Sequence, residues 1–352
     1  MAKLGDICTV NMGQSPDSAT YNEVGRGLPF FQGNADFGRL HPAVRVWCSE
    51  PTKIAHTGDI LISVRAPIGA MNVADQDCCI GRGLAAIRVN ENICDPQYLW
   101  YAIQSKVSDL NVKGTGSTFK AISKSTLTDT EVLLVPLDAQ KNIASVLSNV
   151  ENSILFRKEQ LTKLDELIKA RFVEMFGTYP DNPFGWNTGK IQDVVSNVRY
   201  GSSRPAVEGG KYPYLRMNNI TYAGELDLTD TKRIDVPDSE LDKCTVQRGD
   251  VLFNRTNSKE LVGKTCVYNR DDMMVLAGFV IRVRVNERIL PEFLVAFLNT
   301  AFSKQMLLGM CKTAIGQANI NAKEMQNIGL YIPPIALQEQ FVDLKKQTDK
   351  SK

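Results

Sequence analysis

Two similar segments constrain the architecture of this 352-residue chain more than any other feature. Residues 58–65 read GDILISVR and residues 249–256 read GDVLFNRT, and further pairs of similar segments flank both in the same order. The spacing between paired segments drifts from 184 residues (Leu28 to Tyr212) to 198 residues (Pro136 to Pro334). Loop insertions on a shared scaffold would produce such a drift. We therefore predict that one kind of domain occurs twice.

Each copy has the sequence pattern of a mixed α+β domain. Short runs of β-branched and aromatic residues are separated by Gly, Asp, Asn and Pro, which are typical of turns. These runs are PFFQ, DILISVR and AAIRV in the first copy, and PYLRM, DVLFNR and VIRVRV in the second. A helical stretch follows, around residues 98–105 and 292–304, and then a last strand. The strands predict a curved or partly closed sheet in each domain.

The period of the apolar residues changes between the two copies. Residues 138–176 contain no Gly or Pro, and Gly177 is a natural C-terminal stop. Apolar residues alternate steps of four and three, with Arg157 and Arg171 at the two remaining seam positions. A helix of roughly 39 residues is about 58 Å long and requires a partner helix for its apolar stripe. The predicted partner-helix contacts are Ile143, Leu147, Val150, Ile154, Leu161, Leu164, Ile168 and Met175.

A shorter helix is predicted after the second copy. Both copies close with a proline followed four residues later by a glutamine, at 136–140 and 334–338. As a helix, residues 335–352 would extend about 27 Å. Packed antiparallel, they would cover the end near Gly177 and leave the seam around 143–154 exposed; a helix of another subunit is the alternative partner. The predicted organisation is a first domain at 1–137, a helical spacer at 138–177, a second domain at 178–334, and a truncated helical region at 335–352.

Composition and charge exclude several classes of protein. The chain is 43% hydrophobic and 23% charged, as globular proteins are. With a net charge of +2, charge alone does not predict nucleic-acid binding, so any such prediction has to come from other features. No apolar run reaches the length of a membrane helix, and the N-terminus lacks a signal-peptide pattern, so we expect a soluble, cytoplasmic protein. The eight cysteines contain no C-x-x-C pair, which predicts buried thiols and no zinc site.

The residue patterns of catalysis are missing from the chain. Residues 181–184 (DNPF) contain one proline where the base-gripping loop of an adenine methyltransferase has two, and a turn is expected there. Ser258 stands where a phosphate loop ending in VGKT would need glycine. The two histidines, His41 and His56, are not near a Ser or Cys motif. We expect no catalytic residues and no bound metal.

Several motifs of the two copies and of their helical joints occur together in one protein family. They are GDILISVR with IGRGLAAIRV, GDVLFNRT with GFVIRV, the joints PLDAQKNIA and PPIALQEQF, and the helix end LDELIKARFVEMFG. On these motifs, over nearly its whole length, the chain resembles the DNA-specificity subunit of type I restriction-modification systems. Members of that family normally continue into a second full-length helix, whereas this sequence stops within it.

The resemblance implies a non-catalytic subunit with two target recognition domains. Each domain would read one half of a bipartite target in double-stranded DNA, and the central helix would set the gap. Modification (methyltransferase) subunits and restriction (translocase/nuclease) subunits would be the partners that methylate adenine and cleave DNA. S-adenosylmethionine would bind to the modification partner and not to this chain. The alternative is a coiled-coil scaffold protein that does not contact DNA.

Candidate DNA contacts are polar residues expected in loops beside the strands. Arg, Asn and Gln make the bidentate contacts that distinguish bases, and Gly-rich loops with hydroxyls and a Lys suit phosphates. In the first copy the candidates are Gln14, Ser15, Gln32, Asn34, Arg65, Arg82, Lys113, Thr115, Ser117, Thr118 and Lys120. In the second copy they are Ser202, Ser203, Arg204, Arg216, Asn218, Asn219, Arg255, Asn257, Lys264, Lys312, Gln317, Asn319 and Asn321.

Each candidate also has a purely structural interpretation. Gln14 and Ser202 could decorate turns, Asn218 and Asn219 could hold a turn, and Arg65 could pair with Asp59. Because each follows a glycine at the entrance of a strand, Asp59 and Asp250 are expected to fix the turn. The aromatic residues expected in the cores are Phe30, Phe31, Tyr98, Trp100, Tyr214 and Phe293.

Overall fold

The repeated sequences fold into two mixed α/β units that share one strand order. The computed structural model describes residues 1–116, 120–314 and 317–352. The chain divides into unit 1, Met1–Arg157, and unit 2, Lys158–Lys352. One long helix, Leu137–Phe176, lies between the two repeats and differs from the predicted segment 138–177 by one residue at each end.

Unit 1 contains eleven described strands and four short helices before the long helix. The strands are β1 (Ala2–Lys3), β2 (Cys8–Met12), β3 (Tyr21–Asn22), β4 (Leu28–Phe31), β5 (Trp47–Cys48), β6 (Ile54–Ala55), β7 (Ile60–Ser63), β8 (Met71–Val73), β9 (Cys78–Ile80), β10 (Leu84–Val89) and β11 (Glu131–Val132). The helices are α1 (Leu4–Ile7), α2 (Pro96–Gln104), α3 (Val107–Lys113), α4 (Lys124–Thr128) and α5 (Leu137–Phe176). One sheet has the order β2-β10-β7-β8 and another the order β3-β5-β4-β9-β6.

Unit 2 repeats this arrangement with additional strands. The strands are β12 (Asn187–Lys190), β13 (Val195–Tyr200), β14 (Tyr212–Leu215), β15 (Lys232–Ile234), β16 (Thr245–Val246), β17 (Val251–Asn254), β18 (Thr256–Asn257), β19 (Thr265–Val267), β20 (Met274–Leu276), β21 (Val280–Val285), β22 (Lys312–Ala314), β23 (Gln317–Asn319) and β24 (Gly329–Ile332). The helices are α6 (Asp238–Cys244), α7 (Pro291–Leu298), α8 (Ala301–Met310), α9 (Ala322–Gln326) and α10 (Ile335–Ser351).

Two sheets of unit 2 correspond to the two larger sheets of unit 1, except that the edge strand β3 of unit 1 has no counterpart among the described strands of unit 2. The orders in unit 2 are β13-β21-β17-β19 and β15-β14-β20-β16, and in each unit one central pair, β4-β9 or β14-β20, is parallel. Each unit also has a two-stranded sheet, β1-β11 or β12-β24, and among the described residues the sheet β18-β23-β22 occurs in unit 2 alone. All of these sheets are open, so the partly closed sheet that the sequence suggested is not what forms.

Strand pairing corrects one detail of the sequence correspondence. Ile60 pairs with Ile87 across β7 and β10, and Val251 pairs with Val283 across β17 and β21. Because a shift of one residue would turn every side chain to the other face, this register fixes the correspondence of β10 with β21. Gly83 therefore corresponds to Phe279, and not to Gly278 as the sequences alone suggested.

Strand β7 is buried on both faces. Ile60 and Ile62 contribute to one hydrophobic core, while Leu61, between them, contributes to another. The equivalent strand β17 divides in the same way, with Val251 and Phe253 on one side and Leu252 on the other. Burial on both faces explains why these segments are continuous apolar runs without polar alternation.

The glycine-aspartate turns before β7 and β17 are fixed as expected. The Asp59 carboxylate accepts a hydrogen bond of 2.8 Å from the His56 backbone amide and two of 2.9 Å from the Arg88 guanidinium. Asp250 is held equivalently by Gln247 and Arg284. The partner of Asp59 is therefore Arg88, and the proposed pair with Arg65 is wrong.

Within unit 2, α10 packs antiparallel to the last turns of α5. The Phe341 ring lies edge-on to Phe172 with centroids 5.2 Å apart, and the Lys352 ammonium lies 2.6 Å from the Asp165 carboxylate. Because the later residue of α10 meets the earlier residue of α5, the two helices run in opposite directions. The prediction that α10 covers the end of α5 near Gly177 is confirmed.

Buried aromatic residues and thiols fill the cores. Of the six aromatic residues expected there, five are less than 9% exposed and Trp100 is half-buried. All eight cysteines are free thiols in the described structure, and burial raises the pKa of Cys8 and Cys78 to about 12. Cys78 and Cys79 lie in different core clusters, as neighbours on a strand should. Within the described ranges no single helix is long and apolar enough to cross a membrane. The consecutive helices α7 and α8, which are bent relative to each other, reach that length and apolar composition only when they are taken together.

Candidate nucleic-acid interface

A cleft of about 560 Å³ in unit 1 brings together candidates from three separate segments. The Ser15 hydroxyl donates a hydrogen bond of 3.0 Å to Gln32 Oε1 and accepts one of 3.3 Å from the Arg82 backbone amide. The Gln32 backbone amide donates to the Asp36 carboxylate at 3.0 Å. The side chains of Gln32 and Arg82 are exposed, so amide and guanidinium donors face the cleft, with Phe30 buried beneath them.

A glycine brings the polar loop of each unit close to the neighbouring strand end. A Cβ at Gly13 would collide with the Gly81 carbonyl oxygen, and one at Gly201 would collide with the carbonyl oxygens of Leu276 and Ala277. Only glycine permits this approach of two backbones. The matched glycines of MGQSP and YGSSRP therefore place Ser15 and Ser203 beside their clefts.

A cleft of about 480 Å³ occupies the equivalent place in unit 2. Three arginines line it, Arg204, Arg216 and Arg255. The Arg204 guanidinium donates to both oxygens of Glu240, at 2.7 and 3.2 Å, and Arg216 Nη2 lies 2.9 Å from Asp230. Ser203 and Asn218 are exposed on the same cleft.

A second cluster in unit 1 forms where two short segments pair. Thr115 and Ala121 exchange backbone hydrogen bonds of 3.0 and 2.9 Å, and Arg65 forms a bridge to Ala121. The Lys120 carbonyl oxygen accepts a hydrogen bond of 3.0 Å from Ala66. Arg65, Thr115 and Lys120 are all exposed, and Lys113 is exposed at the end of α3 just before them. Ser117 and Thr118 lie outside the described residues.

The equivalent cluster in unit 2 is the sheet β18-β23-β22. Thr256 pairs with Asn319, and Asn319 pairs in turn with Lys312. Asn257 and Gln317 lie on adjacent strands of this sheet, and the Gln317 side chain is exposed. The side chain of Lys312 lies outside the described part of the chain. The pairing of Thr115 with Ala121 in unit 1 thus matches the pairing of Lys312 with Asn319 in unit 2.

Four candidates of unit 2 serve the internal structure. Lys264 is 7% exposed, its Nζ donates to the Met217 carbonyl oxygen at 2.9 Å, and burial lowers the pKa of Lys264. Asn219 is 2% exposed and bonds to neighbouring backbone, and Asn321 caps α9. Ser202 is buried, and its hydroxyl accepts from the Arg204 backbone amide. We leave these four residues out of the proposed DNA contacts.

Three further loop candidates differ in how accessible their side chains are. Gln14 is exposed, with its backbone held by Ile80. Asn34 is half-buried at the start of a 3₁₀ turn, and its carbonyl oxygen accepts from the Phe37 amide. Asn257 Oδ1 accepts from the Ser258 amide at 2.9 Å. Gln14 is therefore the most accessible of the three.

Two aromatic residues at the unit 2 interface were not singled out from the sequence. The Arg255 guanidinium lies over the Tyr200 ring, with its central carbon 5.0 Å from the ring centroid. Tyr200 is 44% exposed. Phe279 lines the cleft and is 52% exposed. Their positions in the sequence could have indicated them, because Tyr200 directly precedes Gly201, Phe279 directly follows Gly278, and both glycines belong to repeated motifs.

The predicted seam of α5 is exposed in its first half. Ile143, Leu147, Val150 and Ile154 are between 39% and 53% exposed. Leu161 and Leu164 are half-buried, while Ile168 and Met175 pack on the core of unit 2. An apolar stripe of this kind on a helix is typical of a surface that contacts another helix. Within the described residues, no group of three or more His, Cys, Asp and Glu side chains is arranged to hold a metal ion.

Comparisons with known proteins agree with this architecture. The type I restriction modification DNA specificity domain matches residues 1–166 and again 183–352. A solved S subunit of a type I restriction-modification system from M. genitalium is 16% identical, with a TM-score of 0.57, and the match covers 99% of this chain and 88% of that one. At this identity the structural likeness shows a shared fold.

Curated relatives match parts of the chain. A Methanocaldococcus jannaschii protein, provisionally named the specificity subunit of type I restriction enzyme MjaX, is 39% identical over 158 residues, 45% of this chain and 37% of its own length. The EcoKI specificity subunit of Escherichia coli is 23% identical over 255 residues, 68% of this chain and 54% of its own length. This chain thus spans only about a third to a half of these relatives. Because the domain match covers both repeats, the chain belongs to the type I restriction-modification DNA specificity family.

Proposed function

We propose that this chain is the sequence-specific DNA-recognition subunit of a type I restriction-modification complex. Family membership supports a role in DNA specificity. The observation that carries the proposal is the duplicated cleft, which in both units collects polar side chains from two matching loops, Ser15 and Gln32 in unit 1 and Ser203 and Arg216 in unit 2. A further arginine completes each cleft from a different segment, Arg82 in unit 1 and Arg255 in unit 2. Side chains with amide and guanidinium groups, on loops fixed by a rigid sheet, suit the base edges of the major groove.

The two units would read unlike halves of a bipartite target. Gln32 follows β4 in unit 1, and Arg216 occupies the equivalent position after β14 in unit 2. A glutamine amide suits adenine, whereas a guanidinium suits guanine. Since the two clefts present different groups, their half-sites need not be related by symmetry, and the proposed target is not a palindrome.

Catalysis would belong to partner subunits. The modification subunits would bind S-adenosylmethionine and methylate adenine, and the restriction subunits would translocate and cleave the duplex. The exposed stripe of α5 supports contact with a helix of a partner. This assignment gives the chain no cofactor of its own and a place in the cytoplasm, where the DNA is.

A scaffold that contacts no DNA is the alternative that the exposed stripe also favours. Replacing Lys113, Lys120 and Lys312 together by Glu distinguishes the two functions. A DNA reader loses affinity for duplex DNA and its salt dependence weakens, because each phosphate contact releases counterions. Unchanged DNA affinity in a folded triple variant would favour the scaffold. Mapping methylated adenines across a genome with and without this chain tests the whole proposal, since the methylated motif should vanish with the chain.

A further inference from the structure

Arg255 occupies a position at which unit 1 has a core residue. Counting from Gly58 and Gly249, the seventh residue is Val64 in the first copy and Arg255 in the second. Val64 is 2% exposed and packs in the core of unit 1. A guanidinium at such a position is costly to desolvate, and a local departure of this kind is typical of a functional site.

The Arg255 guanidinium is held in a fixed orientation. It lies over the Tyr200 ring, 5.0 Å from the centroid, and its Nη2 donates a hydrogen bond of 3.2 Å to Asn319 Oδ1. The Arg255 backbone amide donates to the Phe279 carbonyl oxygen at 3.0 Å, and its carbonyl oxygen accepts from the Ile320 amide at 2.9 Å. Ring, amide and backbone together leave the planar group little freedom.

The charge of Arg255 is also uncompensated, in contrast to the other two arginines of the cleft. Arg204 and Arg216 form ion pairs with Glu240 and Asp230. In the described ranges, Arg255 has no carboxylate within ion-pair distance, and its Nε is buried without a hydrogen-bond partner. A guanidinium that lines a cleft without a carboxylate partner suits a ligand with acceptor atoms.

We propose that Arg255 reads a guanine in the half-site bound by unit 2, with Phe279 as the apolar wall beside it. The inference rests on the proposed function. A rigid, planar fork of donors matches the O6 and N7 acceptors of guanine in the major groove. A phosphate contact needs charge but no fixed orientation, so the stacked and hydrogen-bonded geometry favours the base edge over the backbone.

The test is selection of duplexes from a randomised library by the complex of this chain with its modification subunit, followed by sequencing. The wild-type chain should select a motif in two parts. Arg255→Lys keeps the positive charge and Arg255→Met keeps much of the length, yet both should lose the preference for guanine at one position, by about 5- to 150-fold. The other half of the motif reports that unit 1 is folded and reads DNA in the same sample.

Matched variants separate reading from general effects. Arg248→Ala removes an exposed guanidinium of unit 2 that lies outside the cleft and is paired with Asp271, and we expect its motif to be that of the wild type. Tyr200→Leu removes the ring beneath Arg255 and should weaken the same guanine position, whereas Tyr200→Phe should preserve it. A 7-deazaguanine at that position should weaken binding by the wild type but not by Arg255→Met.

Three results would overturn the assignment. Retention of the full motif by Arg255→Lys would show that charge alone suffices, as for a phosphate contact. Equal loss of affinity for all sequences in Arg255→Met would show the same. Relaxation of the guanine by Arg248→Ala would show that the loss does not depend on Arg255. If the wild type selects no motif, the proposed function fails with it; if Arg255→Met does not fold, Arg255→Lys decides.

Discussion

Gln338 Oε1 accepts a hydrogen bond of 2.8 Å from the Leu290 backbone amide, where α10 joins the rest of unit 2. Its Nε2 donates to the carbonyl oxygens of Arg288 and Pro333, at 3.2 and 2.8 Å. The side chain is fully buried. One amide thus satisfies three backbone groups and joins the first turn of the helix to the domain.

Gln140 makes the same arrangement at the start of α5. It accepts from the Asp95 amide at 2.9 Å and donates to the Ile93 and Val135 carbonyl oxygens, at 3.1 and 2.7 Å. The proline-glutamine pairs of the sequence are therefore structural joints. Their spacing of four residues places the glutamine one turn into each helix, facing back toward the domain.

Removing either glutamine amide should destabilise its unit. Gln140→Ala leaves buried backbone groups without partners, which costs about 1–3 kcal/mol. Urea denaturation followed by circular dichroism measures the change. The exposed Gln97→Ala in the same unit should alter stability by at most about 0.5 kcal/mol. Equal effects of the two substitutions would contradict the role assigned to Gln140.

Phe341 should be essential for docking α10 on α5. Its ring is fully buried against Phe172 and Phe176, with centroids 5.2 and 5.8 Å away. Phe341→Ala should lower the free energy of unfolding of unit 2 by about 3–5 kcal/mol, through lost burial and the remaining cavity. Phe156→Ala, at a site on α5 that is 62% exposed, is the control and should change little. Equal melting temperatures of Phe341→Ala and Phe156→Ala would refute the prediction.

The exposed stripe of α5 should carry subunit assembly. Leu147→Glu and Ile154→Glu place charges on a surface that is already in contact with solvent, so the chain should still fold. Both variants should fail to co-purify with the modification subunit, because a helix partner would have to bury the carboxylate. Val146→Glu, which is exposed but off the heptad seam, should assemble normally. Assembly of the seam variants at wild-type affinity would exclude this surface.

The isolated chain should bind duplex DNA weakly. Its net charge of +2 supplies little of the phosphate neutralisation that drives affinity, so the partner subunits are expected to supply the rest. Filter-binding titrations should show a large gain in affinity when the modification subunit is added. For the complex, Lys120→Glu should reduce the slope of log affinity against log salt concentration by about one. Full sequence-specific affinity of the isolated chain would be incompatible with this view.

Lys304 should make the stability of unit 2 depend on pH. Burial, with a smaller contribution from Lys264, lowers the pKa of Lys304 to about 8, and its Nζ donates to the Gly263 carbonyl oxygen at 2.8 Å. The unfolded chain binds this proton more tightly than the folded chain does, so stability should rise between about pH 8 and 10. Lys304→Met should flatten this part of the curve, and the Gly263 oxygen keeps its bond from Thr265. If the melting temperatures of the wild type and of Lys304→Met change in parallel from pH 7 to 10, the lowered pKa of Lys304 is contradicted.

Two features could be predicted from the sequence: the recurrence of similar elements in the same order along the chain, and the long helix. Repeated segments carry repeated patterns of burial, and a segment without Gly or Pro that ends at Gly177 specifies helix bounds locally. The helix lengths also predicted which end of α5 an antiparallel α10 would cover, while a helix of another subunit remained the alternative partner. These features depend on neighbours along the chain, which the sequence shows directly.

Only the tertiary structure decided which polar side chains face the clefts. Lys264 and Arg255 are both cations near the same turn of the sequence, yet Lys264 is buried against Met217 while Arg255 lines the cleft. The difference arises from contacts between segments far apart in the chain, such as the pairing of Thr256 with Asn319. Because exposure and charge compensation depend on those distant partners, residue type and spacing could not assign them.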